Sequence, residues 1–294
     1  MKAALLFNPC AGGGRAARLA AAAQCELGRY GMQTELHPTA APGDATVIAR
    51  RLFRAPEGHV DIVVIVGGDG TVNEVVNGLA GGQIPLGIIP GGTVNVLALE
   101  LGLPFSVRRA CAVIAQGKTR ILDVGLANER RFVLMMGAGI DALTVRNIDL
   151  RAKKRFKELA FVSTGLRTGL ARAPSVFVVR ADDQEYEATF FVAANTRYYG
   201  GKFGLLPTAD PGDGMLDLLL FRGTSRADMA VFWLGVPTGL HLRHPAVTCL
   251  RAQEAELTSL ADSSPVWFQT DGELAGQLPA KVRIQPGALR VLVP

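Results

Sequence analysis

From Lys2 to Leu101 short apolar runs take turns with helix-period segments: KAALLF, RAARLAAAAQCEL, QTELH, DATVIARRLF, DIVVIV, TVNEVVNGL, LGIIP and NVLALEL. Strands that alternate with helices belong to a parallel sheet, because a parallel neighbour is reached through a crossover and the usual crossover is a helix. The expected fold is therefore a doubly wound parallel α/β domain, whose ligands sit outside the carboxyl ends of the strands. Each of those ends carries glycine or small polar residues here: NPCAGGG from Asn8 to Gly14, PTAAPGD from Pro38 to Asp44, GGDGT from Gly67 to Thr71, and PGGT from Pro90 to Thr93. Four loops should face one crevice.

After Asp123 the pattern changes to strand-like runs separated by turns: RFVLMMG, SVFVVRA, YEATFFVAAN, MLDLLLF, AVTCLRA, PVWFQTDGE, KVRIQ and ALRVLVP. Successive strands with few helices between them predict an antiparallel β-sandwich. The boundary is placed near Val124, giving an α/β domain over 1–124, the candidate ligand-binding domain, and a sandwich over 125–285, with the last strand, about 286–294, free to return to the first domain. Helical insertions are expected at Leu150–Leu170 and Arg226–Leu234.

A formal charge of +5 favours anionic partners. Cys10, Cys25, Cys111 and Cys249 form no C-x-x-C pair, so reduced and mostly buried thiols are expected rather than zinc ligands or a disulfide framework. His241 and His244 have no carboxylate or thiol nearby in sequence and read as surface or packing residues. No apolar run of membrane-spanning length occurs, and the apolar start is cut short by NPCAGGG, so a cytoplasmic protein with at most peripheral membrane contact is expected.

The stretch VVIVGGDGTVNEVVNG places an acid where a phosphate loop is bare backbone. It spells neither a P-loop nor a dinucleotide fingerprint, since Asn73 stands where the latter has glycine. The protein-kinase motif set is absent as well. Glycine amides can wrap phosphate while Asp69 holds a magnesium ion that cancels its charge and bridges the phosphate oxygens. The same residues also suit a tight turn in which Asp69 caps a helix at Thr71. In PGGTVN, Gly91 and Gly92 permit close backbone approach, and Thr93 and Asn95 bring donors to a helix start. Asn8 can bind base, ribose or backbone.

Taken in order, NPCAGGG, GGDGTVNEVVNGL, LGIIPGGTVNVLALELGLP, MMGAGIDA, YYGGKFGLLPTADPGDGMLDL and TDGE resemble the motifs of the diacylglycerol kinase catalytic-domain family, which includes bacterial lipid kinases and the sphingosine and ceramide kinases. GGDGT alone is shared with NAD kinases and phosphofructokinases, whose α/β domain is of the same kind; the ordered series is more specific. The resemblance implies ATP, with Mg2+, bound between an α/β domain and a sandwich. It implies nucleotide contacts from Thr39, from Gly67, Gly68, Asp69, Gly70, Thr71, Val72 and Asn73, and from Thr93, beside Asn8, Gly92 and Asn95 in the loops read above. Asp271 in TDGE matches the family's proton acceptor, with Glu273 in reach to support it or the metal; Asp-Gly after a strand is equally a hairpin signal. A structural magnesium is implied on the Asp213 side chain and the carbonyls of Asp210 and Met215, against a turn held by Asp213 without metal. The chain departs from the family at Val96, where aspartate is usual, and lacks the arginine common a few residues later, with Leu99 and Glu100 in that area.

Arg151, Lys153, Lys154, Arg155 and Lys157 precede apolar residues at helical spacing, which reads either as an amphipathic helix at an anionic membrane or as a solvated helix on the sandwich. The expected function is an ATP-dependent lipid kinase acting on a hydroxyl of diacylglycerol or a related lipid at the membrane surface. No nucleic-acid partner is expected, and a homodimer is compatible with the sequence. The alternatives are an NAD kinase-like enzyme with a soluble substrate and a noncatalytic lipid- or nucleotide-binding regulator.

Overall fold

The computed structural model describes residues 1–54, 60–79, 84–147, 158–171, 174–260 and 264–294. The chain forms two compact units, Met1–Asp123 with Gly287–Pro294, and Val124–Pro286. The first is an α/β unit on a parallel sheet and the second an antiparallel sandwich, as the change of pattern in the sequence predicts.

In the first unit the order is β1 (Lys2–Phe7), α1 (Arg15–Arg29), β2 (Gln33–Pro38), α2 (Asp44–Arg54), β3 (Ile62–Gly67), α3 (Asp69–Leu79), β4 (Leu86–Pro90), α4 (Val96–Glu100) and α5 (Val107–Gln116). β2, β1, β3 and β4 lie side by side and parallel, with Phe7 opposite Pro38 and Val66, and Gly67 opposite Pro90. Every residue of β3 is buried, which is why IVVIVG shows no polar alternation. Ala20, Ala23 and Leu27 of α1 and Ala110, Cys111 and Ile114 of α5 pack with Leu5, Ile62, Val64 and Ile89 into one core. The helix α5 and the strand after it, β5 (Thr119–Ala127), lie outside the strand and helix patterns read from the sequence. NVLALEL forms only a short helix, because Asn95 adopts a left-handed φ of 58° and Gly102 one of 65°.

The second unit contains β6 (Arg130–Phe132), β7 (Met135–Gly139), α6 (Ile140–Asn147), α7 (Glu158–Ala171), β8 (Phe177–Ala181), β9 (Gln184–Ala188), β10 (Phe190–Ala194), the short strands β11 (Tyr198–Tyr199) and β12 (Phe203–Gly204), β13 (Leu216–Phe221), α8 (Arg226–Gly235), β14 (Val247–Ala252), β15 (Glu254–Ser259), β16 (Trp267–Thr270), β17 (Glu273–Gln277) and β18 (Ala280–Leu292). One antiparallel sheet runs β14, β13, β10, β7, β16, β17; the opposing layer runs from the start of β18 through β15 and β8 to β9. Met136, Phe191, Leu218 and Phe268 from the first layer meet Phe177, Val179, Leu257 and Val282 from the second in a single core. Helix α8 packs Phe232 and Trp233 against Phe190 and Phe221, with the Phe221 and Phe232 rings stacked at 4.5 Å. Its start is closed by a capping box between Ser225 and Asp228.

Two apolar runs that read as single strands are each broken: RFVLMMG at Val133–Leu134, and YEATFFVAAN at Thr189, whose hydroxyl donates to the carbonyls of Phe221 and Gly223. Conversely KVRIQ and ALRVLVP are one strand, β18, which leaves the second unit and ends beside β4 in the first. The cysteines are free, but of the four only Cys111 is buried; Cys10, Cys25 and Cys249 are exposed, against the expectation of mostly buried thiols, because they lie on loop and outward-facing positions. His241 is buried and bonds the Leu205 carbonyl at 2.9 Å, a packing role. The basic stretch Arg151–Lys157 lies outside the described residues, as does the start of the helix expected from Leu150. Among the described residues no helix is long and apolar enough to cross a membrane.

Candidate functional site

Parallel strands bring the four loops of the first unit to one edge of its sheet. After β1, Asn8 makes a tight turn: its side-chain oxygen accepts the Cys10 amide at 2.9 Å and its carbonyl accepts the Ala11 amide. Gly12, Gly13 and Gly14 follow with φ of 61°, 66° and 84°, a backbone run that other residues enter only with strain. Thr39 is tied to the same place, since its amide donates to the Phe7 carbonyl at 2.9 Å, and it is buried. The next two loops touch each other. The Gly91 amide donates to Gly67, and a Cβ built on Gly92 would fall 2.5 Å from the Gly68 Cα, so neither loop has room for a side chain at the crossing.

Helix α3 begins at Asp69, so Gly70 and Thr71 occupy its first turn, where backbone amides have no acceptor within the helix and favour an anion. Val72 and Asn73 lie on its buried face; the Asn73 carbonyl and side-chain oxygen both accept from Asn77. The Asp69 carboxylate reaches across to α4 and accepts the amides of Val96 at 3.0 Å and Leu97 at 3.2 Å. It thus caps the helix of the neighbouring loop. Asn95 closes its loop on itself, accepting the Gly92 amide at 2.8 Å and donating to the Gly92 carbonyl at 3.0 Å, while Thr93 is exposed.

In the second unit Asp271 and Gly272 form the two-residue turn between β16 and β17, with φ of 49° and 84° and with Thr270 opposite Glu273. Positive φ at both positions is the primed hairpin turn that Asp-Gly favours. The turn also aims a carboxylate. Asp271 accepts the amides of Val133 at 2.8 Å, Leu134 at 2.9 Å and Met135 at 3.0 Å, and its own amide returns to the Met135 carbonyl. The hairpin that Asp-Gly signals is present, and its first residue holds its carboxylate on these three amides. Glu273 is half exposed and pairs with Arg130.

Behind this turn lies a polar cluster that sequence reasoning did not assign. Asp141, in the first turn of α6, is fully buried; its carboxylate accepts the Tyr199 hydroxyl and, at 2.8 Å, the Gln269 side-chain amide. Burial pushes the Asp141 carboxyl up to about 6, against the lowering effect of those two hydrogen bonds. The MMGAGIDA and YYGG motifs carried the only available signal, as glycine- and polar-marked segments with no stated role.

The PTADPGDG loop folds on its own acids: the Gly212 amide donates to Asp210 at 3.1 Å and the Met215 amide to Asp213 at 3.0 Å. The other Asp213 oxygen holds the Arg251 guanidinium, which also approaches Asp217 at 3.7 Å. Burial raises the Asp217 carboxyl, opposed by the Thr208 hydroxyl and then by Arg251. A cation at Asp213 would compete with Arg251 for the same oxygen. Among the described residues no cluster of three or more His, Cys, Asp or Glu side chains could hold a metal ion. The magnesium ligands expected at this loop, the Asp213 side chain and the Asp210 and Met215 carbonyls, are all oxygen donors of the kind a hard cation takes, and an ion there would share Asp213 with Arg251.

Residues 2–127 match the family model described as the diacylglycerol kinase catalytic domain, and residues 135–293 match the YegS C-terminal NAD kinase beta sandwich-like domain. A diacylglycerol kinase of Staphylococcus epidermidis is 31% identical over 284 residues, covering 95% of this chain and 88% of the relative. One from Bacillus subtilis is 27% identical over 285 residues, covering 95% and 92%. Among solved structures, a diacylglycerol kinase from Bacillus anthracis strain Sterne superposes with a TM-score of 0.74 at 22% identity, covering 100% of this chain and 97% of that one. A second solved chain from that organism gives 0.81 at 25% identity, covering 100% and 95%.

Proposed function

This chain belongs to the diacylglycerol kinase family, and from that premise we propose that it transfers the γ-phosphoryl group of ATP to a hydroxyl of diacylglycerol or a related lipid. The observation that carries the reading is the Asp271 carboxylate, presented at the tip of a primed turn and fixed by three backbone amides. A lipid hydroxyl beside it donates a hydrogen bond to one carboxylate oxygen. As the hydroxyl oxygen bonds to the γ-phosphorus, the bond from phosphorus to the β–γ bridging oxygen breaks, ADP leaves, and the hydroxyl proton passes to Asp271. The transition state is loose, so positioning and charge stabilisation carry most of the rate, and Asp271 contributes by orienting the hydroxyl as well as by taking its proton.

The first unit supplies the phosphate end in this proposal. The opening turn of α3 and the glycine loops offer amides to the polyphosphate, and Asn8, Thr39 and Thr93 lie in loops at the same sheet edge. Magnesium, carried in by the phosphate oxygens, would neutralise charge on the transferring group. Asp69 is the residue that would meet it, since its carboxylate stands at the start of α3 beside those amides. The acceptor's acyl chains place the reaction at a membrane surface, reached from the cytoplasmic side.

The test is to incubate the protein with labelled ATP and magnesium against a panel of diacylglycerols, sphingoid bases, ceramides, glycolipids and NAD, and to identify products by mass spectrometry. A phosphorylated lipid supports the reading. Phosphorylation of NAD alone would replace it with the soluble-substrate alternative, and no acceptor-dependent ATP turnover would leave a binding regulator.

A further inference from the structure

Burying a carboxylate is costly, and the chain has made room for Asp141. At Gly137, in the strand beside Gln269, a Cβ would fall 1.7 Å from the Asp141 Oδ2 and 2.9 Å from the Gln269 Nε2. Glycine there lets the two side chains meet across β7. Pairing of β16 with β17 shifts register between Phe268 and Gln269, an irregularity of the kind that re-aims a side chain. Gln269 is itself buried, at 2% exposure.

The two ends of Gln269 do different things. Its amide nitrogen donates to Asp141 at 2.8 Å, and its carbonyl oxygen accepts the Gly272 amide at 2.7 Å. A side-chain amide has one donating and one accepting end. An ionised carboxylate only accepts, so Asp141 decides that the oxygen, not the nitrogen, faces the turn. The Tyr199 hydroxyl holds Asp141 from its other oxygen. The path from Asp141 through Gln269 ends on the residue next to Asp271.

We propose that Asp141 is a positioning residue for Asp271, acting through Gln269 to fix the turn on which the reacting carboxylate stands. This rests on the reading of Asp271 as the acceptor group in lipid phosphorylation. Asp141 touches neither substrate nor the transferring phosphoryl group in this account; it acts on the turn. Loss of either member of the path lets the turn move, which affects the rate of transfer more than the binding of ATP.

Two variants test it, the near-isosteric Asp141→Asn and Gln269→Leu, each read in two ways. Hydrogen exchange should quicken at the Gly272 amide within the Trp267–Gln277 hairpin. The kcat for lipid phosphorylation should fall about tenfold or more, because small displacements of reacting groups are expensive, while KM for ATP stays within about twofold. The double variant should be no slower than the slower single one, since both cut one path. Wild-type exchange at Gly272 in both variants, or quickened exchange with unchanged kcat per folded molecule, would overturn the inference. So would a rise in KM for ATP at constant kcat. If the wild-type protein phosphorylates no lipid, the proposed function fails, and exchange at Gly272 still decides whether Asp141 sets the turn.

Discussion

The carboxylate of Asp69 accepts the amide hydrogen of Val96 at 3.0 Å, across 27 residues of sequence. Val96 is the position at which this chain departs from the aspartate usual in the family it resembles, and the contact uses only its backbone. The side-chain change therefore leaves this link between the two glycine loops in place. The acid of this glycine loop accepts two helix amides.

Asp69→Asn should accordingly affect both stability and nucleotide binding. An amide side chain has one accepting oxygen in place of two, so one of the α4 amides loses its partner. The expected cost is about 1–2 kcal/mol in urea denaturation, the range for loss of a helix cap or of a charged acceptor. ATP affinity measured by calorimetry should fall as well. A variant with wild-type stability would show that the Val96 and Leu97 amides are satisfied without Asp69.

Asp141 predicts a pH dependence of stability. Its carboxyl is raised from an ordinary 3.8 to about 6 by burial, so folding favours the protonated form. The contribution is complete below about pH 4 and is lost as pH rises through about 6, amounting to something on the order of 3 kcal/mol. Asp141→Asn does not titrate, so the stability of wild type relative to this variant should decline between pH 4 and pH 8. Denaturation midpoints of the two proteins across that range check it; parallel curves would contradict it.

The Asp213 loop predicts a response to metal removal. With Arg251 seated on Asp213, chelation should leave the melting temperature of the wild-type protein unchanged. The guanidinium is half exposed, so Arg251→Ala should cost no more than about 1 kcal/mol. A drop in melting temperature on adding chelator, reversed by magnesium, would show that a cation displaces Arg251.

Much of the first unit was legible because its information is local. Buried strands such as IVVIVG, helix-period segments and glycine turns announce themselves within ten residues, and the parallel order then brings their carboxyl ends together. Asp-Gly marked the β16–β17 turn for the same reason. What escaped is non-local. Asp141 meets Tyr199 and Gln269 from 58 and 128 residues away, and no spacing rule links them. Thr189 splits an apolar run by bonding a strand 32 residues on, and Pro286-Gly287 lies inside β18 although the dipeptide usually ends a strand. The pairing of Arg251 with Asp213 was equally invisible, because Arg251 arrives from β14, opposite Asp217.

The central claim is that Asp271 accepts the proton of a lipid hydroxyl during phosphoryl transfer, and Asp271→Asn tests it most directly. Asparagine suits the left-handed backbone at this turn and keeps the shape of the side chain, so the protein should fold. Rates of labelled phosphate transfer from ATP to diacylglycerol, measured for both proteins at saturating lipid, should differ by about 10²–10⁴-fold, the usual share of a general base. Equal rates in the two proteins would contradict the account.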